Sequence, residues 1–129
     1  MYSIELLVRD YELDLQGIVN NSNYQRYLEH ARHEYLISKG VDFAELHNEG
    51  QDLVVTRVEM DFKSPLKSRD RFKVTIETEK QGNLRIVFNQ QILRIPDNKL
   101  IVNAKVTGVS LKNGRPHRPD EILSLLIED

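Results

Sequence analysis

The run Asp14-Leu15-Gln16-Gly17-Ile18-Val19-Asn20-Asn21-Ser22-Asn23-Tyr24 is the part of this 129-residue chain whose residue types and spacing point most directly to chemistry. It places a carboxylate in an aperiodic stretch just ahead of Ser22, which reads as the N-cap of the chain's best helix. The first amides of a helix lack intrahelical partners and carry partial positive charge, so they can polarise a carbonyl and stabilise an oxyanion. A carboxylate held nearby can attack that carbonyl or take a proton from water. The same spacing also suits Asp14 as a plain capping side chain of the loop or helix, and spacing alone favours that use.

Other chemistry is thinly represented. The absence of Cys removes thiolate nucleophiles, disulfides and Cys-ligated metal sites, and nothing suggests an oxidising compartment. There is no G-x-S-x-G elbow, phosphate loop or G-x-G-x-x-G. His30 and His33 stand three apart on a charged helical face, a spacing that arises by chance more often than for metal, and His47 and His117 fall in polar, weakly structured stretches. No metal or cofactor is expected. Lys63, Lys67, Arg69 and Arg71 crowd one turn and are a candidate phosphate contact, although a charged turn is more often simply solvated. The formal charge of -2 supplies no bulk field for nucleic acid or an anionic membrane. The first ten residues alternate apolar and polar types rather than forming a signal core, so a cytoplasmic protein is expected.

These residues need a frame. Ile4, Leu6 and Val8 alternate as in a strand; Tyr24, Tyr27, Leu28, Ala31, Tyr35 and Leu36 recur at helical spacing until Gly40; and a helical turn is expected over Phe43 to His47. Alternating runs around 54–63, 71–77, 84–92 and 100–106 then predict antiparallel strands, with a short helix after Pro119. One α+β domain spanning residues 1–129 is expected, a five-stranded antiparallel sheet curled around one long helix. Leu7, Val55, Val87, Leu93, Ile101 and Val109 lie on strand faces away from that helix, which predicts a second copy: a homodimer or homotetramer.

Asp14-x-x-Gly17-Ile18-Val19, then Tyr24 and Glu29-x-Ala31-Arg32, resembles the signature of the 4-hydroxybenzoyl-CoA thioesterase and YbgC-like branch of the hotdog-fold acyl-CoA thioesterases. Ser64-Pro65-Leu66, Asp70, Gly114-Arg115-Pro116 and Pro119 extend the likeness over nearly the whole chain. The resemblance implies the hotdog fold, in which a five-stranded antiparallel sheet wraps one long central helix, and hydrolysis of an acyl-CoA to free acid and CoA. It implies Asp14 as nucleophile or general base and the Asn21 amide as donor to the thioester carbonyl. Gly17 would let the loop turn close to the ligand, and Tyr24 would border the acyl pocket. Val58 and Met60, within a Val54–Met60 strand contributed by the partner copy, would line the acyl tunnel; Lys67 and Arg69, from the basic turn noted above rather than from the resemblance, are the candidate contacts to a phosphate of the ligand. Many members of the branch carry a histidine where Asn21 stands. The Ile18-Val19-Asn20-Asn21-x-x-Tyr24 run is also similar to acyl-ACP thioesterases, with Ile18 in place of their catalytic His and Gln16 in place of their Asn. The rival readings are therefore an acyl-ACP thioesterase, a non-hydrolytic acyl-CoA-binding protein and, more remotely, a hotdog dehydratase, which pairs its carboxylate with a histidine.

Overall fold

In the computed structural model, which describes residues 1–126 apart from the side chain of Glu121, the strands form one curled antiparallel sheet. They are β1 (Tyr2–Leu7), β2 (Gln51–Phe62), β3 (Arg71–Gln81), β4 (Arg85–Ile95), β5 (Lys99–Lys112) and β6 (Arg115–Pro116). The order is β1-β3-β4-β5-β2, with β6 beside β5, so β1 and β2 are the two edges. The expected five strands are present, and β6 is the addition. Asn113 and Gly114 both adopt positive φ, 51° and 79°, which makes the two-residue hairpin turn that folds β6 back on β5. Asn-Gly is a strong hairpin signal, and the alternation beyond it is too short to register as a strand.

Cross-strand register sorts the sheet into two faces. Ile4↔Val74, Val74↔Ile92, Ile92↔Val102 and Val102↔Phe62 share the face that carries the core; Phe88↔Val106 and Val106↔Val58 form a parallel row. The opposite face carries Glu59, Thr75, Glu77, Asn89, Gln91, Asn103 and Lys105, around a polar hollow of about 500 Å³. The residues expected to need a partner divide: Leu7 and Val55 are 45% and 43% exposed, Leu93 and Val109 are half-buried, and Val87 and Ile101 are already fully buried. Ile101 departs from simple alternation for a visible reason. Ile92 pairs with Val102 and Leu93 with Leu100, so Ile101 is the extra residue of a bulge and turns into the core.

Helix α1 (Asn21–Ser38) lays Tyr24, Tyr27, Leu28, Ala31, Arg32, Tyr35 and Leu36 against the sheet. Each large apolar side chain so buried contributes roughly 1.5–3 kcal/mol relative to exposure. Its N-cap is Asn20 rather than Ser22: the Asn20 Oδ1 accepts from both the Ser22 amide and the Ser22 hydroxyl at 3.0 Å. Ser and Asn are about equally good caps, and the loop's own bonds fix which one is used. At the other end Gly40 (φ +83°) donates to Ile37 O and Val41 to Leu36 O, each at 3.0 Å, a Schellman stop that tucks Val41 into the core. Helix α2 (Phe43–Asn48) is capped by Asp42, and α3 (Asp120–Leu126) begins immediately after Pro119. The Tyr35 hydroxyl donates to the Leu126 carbonyl at 2.9 Å, which ties α3 to α1. Buried Arg32 donates to Gln90 Oε1 (3.1 Å), Gln90 donates to the Leu28 carbonyl (3.1 Å), and burial lowers the pKa of the guanidinium.

Candidate active site

Between β1 and α1 the chain forms a small closed hairpin. A 3-10 turn over Asp10–Glu12 leads into a bridge between Leu13 and Val19. Within it Asp14 N donates to Ile18 O (2.8 Å) and Gly17 N to Asp14 O (3.1 Å). The hairpin is pinned to the segment after β2 by Val19 N donating to Leu66 O at 2.9 Å and by a bridge between Ile18 and Lys67.

Asp14, half-buried at the start of this turn, uses one carboxylate oxygen structurally: Oδ1 accepts from Gln16 N at 2.8 Å and, more weakly, from Ile18 N at 3.4 Å. Its Oδ2 has no hydrogen-bond partner among the described residues. Gly17 has φ +79° and open space where a Cβ would stand, so the turn requires glycine for its backbone, with no crowding. Gly17→Ala is expected to cost about 1–2 kcal/mol from left-handed strain alone, measured by chemical denaturation; Gly17→Asn should lose less.

The Asn21 amide opens α1 and donates to no group among the described residues, as expected of a first-turn N–H. Beside it lies a cavity of about 270 Å³ lined by Ile18, Val19, Asn21 and Tyr24 on one side and by Phe62, Lys63, Ser64 and Pro65 on the other. The far wall is held by the Ile101 bulge, whose carbonyl accepts from Lys63 N (2.8 Å) and Ser64 N (3.3 Å). Tyr24 is 2% exposed, its ring lies 5.8 Å from that of Phe62, and its hydroxyl accepts from Leu66 N at 2.9 Å. Burial chiefly, with the charges of Asp14 and Asp70, raises the pKa of this phenol against the opposing effect of the Leu66 bond, so it is neutral at physiological pH. Tyr24→Phe strands the buried Leu66 amide and is expected to destabilise by about 1–3 kcal/mol, read as a lowered denaturation midpoint at unchanged slope.

Of the residues singled out in the sequence, Asn21 and Tyr24 border this cavity, and Asp14 and Gly17 belong to the hairpin that supplies its Ile18–Val19 wall. Val58 and Met60 are half-buried on β2, on the face of Phe62, further along the strand from the cavity. Lys67 and Arg69 lie outside the lining: Lys67 bridges Ile18, and Arg69 (φ +63°) occupies the exposed turn closed by Lys67 N donating to Asp70 Oδ2. Arg71 is engaged with Glu5 at 3.2 Å. Phe62 and Lys63 were not legible as cavity walls, since only folding brings the end of β2 to the start of α1; Lys63 showed itself only as part of the basic cluster. His33 packs its ring 5.7 Å from that of Phe43.

A curled sheet packed on one face of a helix, with a carboxylate hairpin at the helix start, defines a class, and the chain belongs to the thioesterase-like superfamily, whose family model matches residues 8–126. Among relatives, it is 40% identical over 123 residues to the chloroplastic acyl-acyl carrier protein thioesterase ATL3 of Arabidopsis thaliana, a match covering 95% of this chain and 64% of that protein. It thus spans less than two-thirds of that relative's length. It is 26% identical over 108 residues to the long-chain acyl-CoA thioesterase FadM of Escherichia coli, covering 83% and 80% of the two chains. A hypothetical protein of Aquifex aeolicus has a crystal structure that superposes with a TM-score of 0.90 at 30% identity, over 98% of this chain and all of that one. The sequence resemblance to hotdog thioesterases therefore holds at the level of family.

Proposed function

We propose that this chain hydrolyses acyl thioesters, with an acyl-CoA as substrate, giving a free acid and a thiol. The observation that carries the reading is that Asn21, whose amide has no partner among the described residues, borders a cavity that takes one wall, Ile18–Val19, from the hairpin that holds Asp14. The thioester carbonyl accepts from that amide, which stabilises the oxyanion formed on attack. Oδ2 of Asp14 takes a proton from the attacking water, and collapse of the tetrahedral intermediate breaks the C–S bond and returns that proton to the departing thiolate; alternatively Oδ2 adds to the carbonyl itself, expelling the thiolate and leaving a mixed anhydride that water then hydrolyses. The acyl group follows the apolar wall of Tyr24 and Phe62 toward Met60 and Val58, and Lys63, Lys67 and Arg69 meet the phosphates of the carrier.

The site as described is open along β2, whose outer edge has no partner strand among the described residues and whose Val54, Val55 and Phe62 are 41–50% exposed. Burying such an edge in a homodimer or homotetramer would close the tunnel with the partner's β2. The whole then takes the hotdog form, a five-stranded sheet wrapped on the central α1. A cytoplasmic setting is part of the proposal; separately, no helix among the described residues is long and apolar enough to cross a membrane.

A second reading has its own support. The 40% identity to an acyl-acyl carrier protein thioesterase favours a protein-borne thioester over free CoA. Purified chain is therefore to be offered a panel of acyl-CoAs and the matching acyl-carrier-protein thioesters, with thiol release followed by a thiol-reactive dye. Turnover of CoA esters supports the first reading, and turnover confined to carrier-protein esters supports the second. If nothing is released while acyl-CoA still binds, the chain is an acyl-binding protein and hydrolysis is wrong.

A further inference from the structure

The hairpin bearing Asp14 is fastened to α1 through one residue, Glu12. The Glu12 carbonyl accepts twice, from the Asn20 amide at 3.0 Å and from the side-chain Nδ2 of Asn23 at 2.9 Å, while its Oε1 accepts from Arg9 N at 2.7 Å. Asn23 is half-buried in the first turn of α1, and the bond spans eleven residues of chain. One turn further along α1, Tyr27 is 6% exposed, and its hydroxyl is the sole buried side-chain polar atom without a hydrogen-bond partner among the described residues. Burial first, and the neighbouring Glu12 carboxylate second, raise the pKa of that phenol, so it remains a neutral donor. The Glu12 carbonyl, two residues before Asp14, is held by the N-cap amide of Asn20 and by one side chain of the first turn of α1, that of Asn23.

We propose that Asn23 is a positioning residue for thioester hydrolysis: by holding the Glu12 carbonyl it fixes where the hairpin, and with it Asp14, sits relative to the first turn of α1. This rests on the reading of Asp14 given above. The Asn23 side chain does not touch the substrate; it acts by limiting where the carboxylate can be. A displacement of about 1 Å at a reacting group can cost a hundredfold in rate, and Asn20 N keeps one bond to the Glu12 carbonyl when Asn23 is changed, so an intermediate loss of about tenfold is expected.

The test uses Asn23→Asp, which turns an oxygen toward the Glu12 carbonyl in place of an N–H, together with Asn23→Ala, each alone and in an Asp14→Asn background. The substrate is the thioester that the wild-type chain releases fastest. Expected results are a kcat about tenfold lower for either Asn23 variant, KM within twofold, and no further fall once Asp14 is already Asn. A purely structural side chain would not lose its effect in that background. If folded Asn23 variants keep wild-type kcat, or lose the same factor with and without Asp14, the proposal is overturned. If neither Asn23 variant folds, the residue determines the fold rather than the placement of the loop, which also overturns it. Should Asp14→Asn itself be fully active, the reading of the site fails, and that outcome is distinct from a failure at Asn23 alone.

Discussion

Asp14→Asn is expected to lower kcat by about two to four orders of magnitude, the range associated with losing a general base, while leaving the fold intact. The carboxamide oxygen can accept from Gln16 N and Ile18 N as Oδ1 does now, so the turn that shapes the hairpin survives. What disappears is the charge on the second oxygen, the group able to deprotonate water or attack a carbonyl. Asp14→Ala separates the two duties. It should match the catalytic loss and add about 1 kcal/mol of destabilisation, as when any capping acceptor is removed. The measurements are initial rates of thiol release and denaturation midpoints on the same preparations. Equal slow release by wild type and Asp14→Asn across a panel of thioesters would sink the assignment.

Phe72→Ala should carry the largest stability loss. Phe72 is fully buried on β3, paired in register with Leu6, and its ring lies 4.7 Å from that of Tyr27. Truncating a buried phenylalanine costs about 3–5 kcal/mol, because the surroundings close only partly over the hole. In a domain of this size that corresponds to a midpoint lower by roughly 10–20 °C, read by circular dichroism. The damage should also reach the site. Tyr27 lies 6.2 Å from Tyr24, and Tyr24 lies 5.8 Å from Phe62, so a continuous line of rings runs from the core to the cavity. Phe72→Ala should therefore raise KM even at temperatures where the protein remains folded. Phe72→Leu, which leaves a smaller void, should lose less on both counts.

The sequence carried those parts of the molecule that local periodicity encodes. The apolar stripe of α1, its stop at Gly40 and the alternation of β2 to β5 are each written in neighbouring residues, and each element overlaps the run that marked it, although β3 continues to Gln81 and β5 to Lys112. What escaped depends on register between distant segments. Ile101 faces the core only because β4 and β5 slip by one residue at a bulge, and no reading of residues 99–112 alone reveals the slip. The same bulge holds Lys63 and Ser64, so the far wall of the cavity was hidden for the same reason. Asp14 was singled out as a carboxylate near a helix start, yet its two acceptor bonds and the clamp at Glu12 are properties of a folded hairpin. Asn20 displaced Ser22 as the cap because Asn20 N is already committed to the Glu12 carbonyl, which fixes where the chain enters the helix.

The hairpin from Leu13 to Val19 is fastened almost wholly by main-chain atoms: Asp14 to Ile18, Gly17 to Asp14, Val19 to Leu66 and Asn20 to Glu12. Its outline thus makes little demand on the identities of Leu15, Gln16 and Ile18, which are exposed or half-buried and form no side-chain hydrogen bonds among the described residues. Such a loop is an exchangeable cartridge. Selection can install an imidazole, a carboxamide or a bulkier apolar group at its tip without rebuilding the support, so new reactivity can be tried at small risk to folding. An engineer could use the same freedom by diversifying those three positions while leaving the backbone ties untouched.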